Sequence, residues 1–189
     1  MRQWPNMEAF HKLKRRGRCN MTRPQSLLLV TVGAIILGVA YMFTARNISL
    51  GYRANNPMDV VYSSSNDWVG QIGTVTSSDG SHTFCKFDTM GNGIRCGAHV
   101  ILGYQINDGL WTCQQIADKY APTKDQNPSD YGEVLAKKVG VGPDDQIVFN
   151  DYLESIIRAI VSEEQTIYLV TDVEYAYGIQ SARTSLGLA

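Results

Sequence analysis

The sequence has 189 residues and a formal net charge of −1, a length that suits one ordinary domain with an additional segment and excludes a large multidomain protein. The charge is unevenly distributed. Residues 1–25 contain seven basic residues and one acidic residue, residues 24–45 contain no charged residue, and residues 46–189 carry a net charge of −7. Three segments of different character are therefore expected: a basic N-terminal arm over 1–25, an apolar segment over 26–45 and an acidic remainder.

The apolar segment predicts a transmembrane helix over 26–45. Its centre, 27–43, is apolar apart from Thr31 and the Tyr41 hydroxyl, and with its neighbours it approaches the length of about 20 residues that crosses a bilayer. A cleaved signal peptide would have a shorter apolar run, and a buried soluble helix would have a polar face. The basic arm lies on the N-terminal side, so the sequence predicts a single-pass membrane protein with a cytoplasmic N-terminus, or one on the genome side of a virion membrane, and an outer C-terminal domain.

The basic arm itself has two interpretations. Five basic residues fall between Lys12 and Arg18. They can set the topology and attract anionic lipid, at about 1 kcal/mol for each residue near the surface, or they can contact DNA through its phosphates. The expected partners are therefore the lipid bilayer together with anionic lipid or DNA.

A polar linker is expected over 46–57, an α+β outer domain over 58–180 and a short tail over 181–189. Short apolar runs separated by turn residues predict β structure at 58–62, 68–75 and 83–87. Apolar residues at helical spacing then predict four helices: one over 94–105, one capped by Thr112, one that begins at Ser129 or Asp130, and one capped by Asn150. The closing residues, with Tyr175 and Tyr177, are predicted without a helix.

Three of the four cysteines fall in the outer domain, at Cys85, Cys96 and Cys113. In an oxidising compartment Cys85 and Cys96 can form a disulfide that closes a short loop and leaves Cys113 free. Buried unpaired thiols are the alternative. The spacing does not resemble a zinc site, and no metal or cofactor is expected.

Several short patterns resemble, in their order, a family of virion structural proteins of tailless, membrane-containing bacteriophages and prophages. They cover roughly 55–165 and are Asn55–Val60 with Trp68 and Gly70, Phe84-x-x-Phe87-Asp88, Gly93–Arg95 with Gly97-Ala98, Leu102–Tyr104, Gly109-Leu110-x-Thr112, Ile116 with Tyr120–Pro122, Asn127 with Tyr131, Val139–Val141, and Ala159-Ile160 with Glu163. The sequence departs from the usual start of the family at 58–60. The resemblance implies a structural role in a virion, with capsid or other virion membrane proteins as partners.

The same stretch has a more distant similarity to the distal part of flagellar-type N-acetylglucosaminidases, which have lysozyme-like domains. The shared features are the Asn55-Asn56 pair, the aromatic step at 84–88 and the helix that follows. Those enzymes use a glutamate on a helix ahead of the Asn-Asn pair, whereas this sequence has no Glu between Glu8 and Glu133. The resemblance therefore implies a glycosidase-like, mostly helical domain that has lost or relocated its general acid.

Glycan cleavage needs a carboxylic acid that protonates the leaving oxygen and usually a second carboxylate. Glu163 and Glu164 are the candidates for the acid, because both lie at the end of the most apolar predicted helix, where partial burial raises a carboxyl pKa. Asp172 or Glu174 is the candidate for the second group. The alternative is that these residues are solvated at a helix end.

Four aromatic residues are candidates for sugar contacts, since aromatic faces suit pyranose rings: Trp68, Tyr104, Trp111 and Tyr120. Core packing explains them equally well. The two outer-domain histidines, His82 and His99, lie far apart and lack paired ligands. No phosphate-binding glycine loop or nucleophile elbow is present.

The leading hypothesis is a membrane-anchored phage virion protein that links membrane to capsid or engages peptidoglycan at entry. One alternative is an active, membrane-tethered peptidoglycan hydrolase of the muramidase, glucosaminidase or lytic transglycosylase type. Another is a host inner-membrane protein with a periplasmic interaction domain.

Overall fold

The computed structural model of the protein describes residues 48–121, 128–165 and 169–188. Within these ranges the chain forms six helices and two strands. In chain order they are α1 (Leu50–Arg53), β1 (Gln71–Thr76), β2 (Thr83–Phe87), α2 (Met90–Asp108), α3 (Cys113–Tyr120), α4 (Pro128–Val139), α5 (Phe149–Glu164) and α6 (Asp172–Ser185).

The fold class is α+β without the membrane-spanning helix that the sequence predicts. None of the helices within 48–121, 128–165 and 169–188 combines the length and the apolar composition needed to cross a bilayer. The basic arm over 1–25 and the predicted span over 26–45 lie outside the described residues. The sequence predicts a fold with a transmembrane helix and a single-pass membrane location. Both predictions are wrong for the residues that the structure describes, which form an α+β fold without such a helix.

The β structure is an antiparallel hairpin of β1 and β2, with a register shift between Gln71 and Gly73. Val61 forms an isolated bridge to Phe84 of β2. Because alternate side chains of a strand face opposite sides, β2 buries Cys85 and Phe87 completely. The predicted strand at 83–87 is confirmed, the one at 68–75 begins only at Gln71, and the one at 58–62 is reduced to the single bridge.

The core consists of apolar faces from α2, α3, α4 and α5. Their spacing of three and four residues is the one that predicts helices from the sequence, and burial of each large side chain contributes roughly 1.5–3 kcal/mol. The largest fully buried aliphatic residues of these helices are Ile94, Ile101, Leu102, Ile116, Leu135, Leu153, Ile156, Ile157 and Ile160. Helix α3 packs on α4, α4 packs on α5, and α5 packs on α2.

Capping side chains fix several helix starts. Thr112 and Gln115 form a capping box at α3, as the sequence indicates for Thr112. The predicted cap of α5 is wrong: α5 begins at Phe149 without a side-chain cap, and the Phe149 N–H donates instead to Gln105 Oε1 at 2.9 Å. A side chain from α2 thus satisfies one of the free N–H groups that every helix start leaves.

Helix α6 is absent from the sequence prediction, which leaves these residues without a helix. It buries Tyr175, Gly178, Ile179 and Ala182, and it makes the most extensive contact between helices, against α2. At Gly178 a Cβ would lie 2.7 Å from the carbonyl oxygen of Gly91, so the close approach of the two helices requires a glycine. The predicted tail over 181–189 is therefore helical as far as Ser185.

The first residues of the described chain also belong to the domain, and Ile48–Ala189 forms one compact unit. Tyr52, Ala54 and Asn56 are buried, and the Leu169 N–H donates to the Tyr52 hydroxyl at 2.8 Å. The sequence places the boundary between linker and domain at residue 57. In the structure α1, which lies within the predicted linker, packs as part of the domain.

Candidate functional site

The loop between α1 and β1 is held by two asparagines. Asn55 has a φ of 52°, a left-handed conformation that asparagine adopts more readily than most residues, and its Nδ2 donates to the Phe87 carbonyl at 3.0 Å. Asn56 is buried, donates to the carbonyls of Val60 at 2.9 Å and Cys85 at 3.0 Å, and accepts from the Val60 N–H at 3.0 Å. The Asn-Asn pair is therefore a structural element that joins this loop to β2.

The same loop places an acidic side chain, Asp59, in the interior. Asp59 has a φ of 48°, and its buried Oδ1 accepts no hydrogen bond from any described residue. A Cβ on Gly51 would collide with this oxygen and would lie 2.6 Å from Gln165 Nε2. The Asp59 carboxyl thus fits against the backbone of α1 because residue 51 is a glycine.

A second carboxyl, Glu164 at the end of α5, interacts electrostatically with Asp59. The Tyr131 hydroxyl donates to Glu164 Oε1 at 3.1 Å. Burial, together with the charge of Asp59, raises the pKa of Glu164 to about 7. Burial also raises the pKa of Asp59 to about 6, although a hydrogen bond with the Gln165 side chain lowers it in part. Asp59 and Glu164 are named the carboxyl pair, because the charge of Asp59 contributes to the raised pKa of Glu164.

Two further side chains tie the loop to the surroundings of the carboxyl pair. Gln165, only 3% exposed, donates through Nε2 to the Pro57 carbonyl at 2.9 Å and accepts from the Ser49 hydroxyl. The buried Tyr120 hydroxyl donates to the Met58 carbonyl. These bonds connect α5 and α3 to the residues that flank Asp59.

The structure places the three predicted catalytic acids in different surroundings. Glu164 is a member of the carboxyl pair. Glu163, its neighbour in sequence, points to the surface and forms an ion pair with Lys138. Asp172 lies at the start of α6 with a side chain 90% exposed, in an ion pair with Arg158 at 2.8 Å. Surface ion pairs of this kind contribute little to stability.

The other predicted second carboxylate, Glu174, closes the capping box of α6 with Thr171. Sequence reasoning therefore missed the actual partner of Glu164, which is Asp59. The only local signal is that Asp59 lies two residues after Pro57 of the Asn-Asn-Pro motif, because the proximity of Asp59 to Glu164 depends on how the end of α5 packs near this loop.

The four aromatic residues predicted to line one glycan groove have different environments. Burial raises the pKa of Tyr120, with further contributions from the charges of Glu164 and Asp59, so Tyr120 borders the carboxyl pair. Tyr104 instead has the Lys119 ammonium over its ring, 4.9 Å from the ring centroid. Trp111 is 43% exposed ahead of α3. Trp68 lines a pocket together with α2 residues.

The three cysteines within the described residues are free thiols. Cys85, Cys96 and Cys113 are all buried and unpaired, so the structure contains no Cys85–Cys96 disulfide and corresponds to the alternative of buried thiols. Burial raises the pKa of the Cys96 thiol, and the charge of Cys85 raises it further. This electrostatic influence indicates that Cys85 and Cys96 are nevertheless near each other. These residues pack in the core as small apolar side chains.

The chemistry open to the carboxyl pair is proton transfer. A carboxyl with a pKa near 7 retains its proton at neutral pH often enough to act as a general acid, and a neighbouring carboxyl that ionises first can act as the base. No three His, Cys, Asp or Glu side chains within 48–121, 128–165 and 169–188 are arranged to hold a metal ion.

Comparison with known proteins gives one relative with a substantial match, Protein P5 of Pseudoalteromonas phage PM2. The two sequences are 30% identical over 141 residues, which cover 73% of this chain and 84% of the relative. No protein-family model matches the chain. These comparisons confirm the predicted resemblance to a phage protein family and give no support to the distant resemblance to glucosaminidases.

Proposed function

Because the chain belongs to the phage protein family that includes Protein P5 of Pseudoalteromonas phage PM2, we propose that it is a structural protein of a phage virion, where the other proteins of the particle are its partners. The observation that carries the proposal is the extent of the similarity, which spans 84% of the relative. The match covers most of both proteins rather than one motif, so the role of the relative in its phage and the role of this chain are expected to correspond.

The test is the composition of purified particles. Particles of the phage that encodes the chain are banded in a density gradient, washed in high salt and quantified by mass spectrometry. We expect the chain at a fixed ratio to the major capsid protein in every infectious fraction. A replication protein of the same phage serves as the control for cellular contamination. Recovery of the chain only from the host lysate, at the level of this control, would refute the proposal.

A second candidate function is acid–base cleavage of a glycan such as peptidoglycan, and the carboxyl pair is the observation that favours it. Glu164 is half-buried, accepts a hydrogen bond from Tyr131 and has a pKa raised to about 7, as a general acid requires. Asp59, with the lower pKa of about 6, is the group that would ionise first and assist as base or nucleophile.

The experiment is release of soluble label from labelled peptidoglycan sacculi by the full chain, measured from pH 4 to pH 9. Activity is expected to decline as the pH rises through about 7 and Glu164 loses its proton. Glu164→Gln and Asp59→Asn are expected to abolish release, whereas Glu163→Gln, which changes the adjacent exposed glutamate, should retain it. Equal loss in the Glu163 and Glu164 variants, or no release at any pH, would reject this function and leave the structural role untouched.

A further inference from the structure

A small pocket lies between the loop that precedes β1 and helix α2. Its volume is about 180 Å³, and it is lined by Asp67, Trp68, Val69, Arg95, Cys96 and His99. Pockets for drug-sized ligands span roughly 300–1,000 Å³, so this one has room for a single small ligand unit. None of these lining residues belongs to the carboxyl pair.

The charged groups of the pocket are not paired. Arg95 and Asp67 have opposite charges and line the same cavity, yet across the described ranges neither forms an ion pair or a hydrogen bond through its side chain. The five N–H donors of the guanidinium and the acceptor oxygens of the carboxylate are therefore available to a bound molecule.

The remaining wall is apolar and uncharged. The indole of Trp68 meets the His99 ring edge-on, with 5.5 Å between ring centroids, and Val69 is 57% exposed beside it. Burial and the charge of Arg95 lower the pKa of His99, which favours the neutral imidazole. The positive charge of Arg95 and the negative charge of Asp67 cancel, so the pocket has no net formal charge.

We propose that this pocket binds a neutral monosaccharide unit. A sugar ring presents an apolar face that suits the indole of Trp68, and its hydroxyls both donate and accept, which matches Asp67 and Arg95 at once. An isolated anion would be repelled by Asp67 and an isolated cation by Arg95. The proposal retains Trp68 from the predicted glycan-binding aromatics and adds polar residues that the sequence pattern did not single out.

The experiment is an NMR titration of the full chain with N-acetylglucosamine at millimolar concentrations. The indole N–H of Trp68 is buried without an acceptor among the described residues, and its signal is assigned by its loss in Trp68→Phe. We expect saturable shifts of this signal and of the His99 ring signals. Arg95→Ala and the conservative change of exposed Asp67 to Asn should each weaken binding by about tenfold or more.

The control variant is Arg53→Ala, which removes an exposed arginine outside the pocket and should leave the affinity unchanged. Acetate, phosphate and alanine are titrated in parallel. The proposal is overturned if the sugar produces no shift of the Trp68 signal, if any of the charged compounds binds more tightly than the sugar, or if folded Asp67→Asn binds the sugar as the unmodified chain does. Because particle composition is a separate readout, failure here would not affect the proposed structural role.

Discussion

Replacement of Glu164 by Gln is expected to make the domain less sensitive to alkaline pH. Glu164 is held at the end of α5 by the Tyr131 hydroxyl and lies close enough to Asp59 for the charge of that residue to raise its pKa. Glutamine has the same shape as the protonated acid and keeps an oxygen that can accept from Tyr131. It therefore removes the ionisation and leaves the contacts in place.

The magnitude follows from linkage between protonation and folding. Burial and Asp59 raise the Glu164 pKa from 4.5 to about 7, so the folded state holds the proton more tightly than the unfolded chain does. This contribution to stability is complete below pH 4.5 and is lost as the pH rises through 7. At about 1.4 kcal/mol for each pH unit, the loss is about 3 kcal/mol by pH 8.

The assay is urea unfolding of the full chain at pH 4, 6 and 8, followed by circular dichroism. Between pH 4 and pH 8 the free energy of unfolding of Glu164→Gln should gain about 3 kcal/mol relative to the unmodified protein. Glu133→Gln, at an exposed position of α4, makes the same change of net charge and should track the unmodified protein. Parallel pH profiles for Glu164→Gln and the unmodified protein would refute the reasoning.

Three further changes test the loop and the core. Gly51→Ala forces a methyl group against the Asp59 carboxyl and Gln165 Nε2, and urea unfolding should show a loss of about 1–3 kcal/mol; a neutral result would mean that α1 can shift. Asn56→Ala leaves buried carbonyls without donors and should cost about 2–4 kcal/mol in the same assay, with Asn66→Ala in an exposed turn as the control. In a Cys19→Ser background, Ellman's reagent should modify the remaining thiols only after unfolding, because burial protects all three and raises the pKa of Cys113 to about 11; rapid reaction of the folded protein would contradict their burial.

The sequence is most informative where the core depends on local periodicity. The stripe of Ile94, Ala98 and Ile101 predicts α2, and the apolar face from Leu153 to Val161 predicts α5, because each helix buries large side chains on one face. Thr112 predicts the start of α3, since a capping box involves only four consecutive residues. These features do not depend on how distant parts of the chain pack.

Helix α6 is not predicted from the sequence, because its buried face contains one large aliphatic residue, Ile179, among small or amphipathic residues. Tyr175, Gly178 and Ala182 give a weak apolar signal, and Gly178 lowers helix propensity by about 1 kcal/mol. The reason for this glycine is the close approach to Gly91 on α2, which the local sequence does not show. The capping box of Thr171 and Glu174 was the signal that would have predicted the start of this helix.

Only one member of the carboxyl pair, Glu164, could be predicted from the sequence. Glu164 is a candidate because it ends an apolar helix, but the sequence favours Glu163 equally. In the structure Glu163, one residue earlier on the helix, faces solvent and pairs with Lys138. Asp59 is not predicted from the sequence, since its placement depends on its left-handed backbone conformation and on the space beside Gly51. Pairs of this kind are formed by tertiary contacts, and periodicity contains no information about them.

The crossing of α2 and α6 has a consequence for synthesis of the protein. Helix α2 is made early and has its apolar face available when residue 108 leaves the ribosome. The helix that covers it most extensively, α6, is synthesised more than 60 residues later. The nascent chain must therefore keep the α2 surface from aggregating until residues 172–185 emerge, and contacts so distant in sequence form slowly. Release of a chain that stops before residue 172 would leave this surface open to chaperones and proteases, so premature termination late in the reading frame is expected to eliminate the protein as completely as termination early in it.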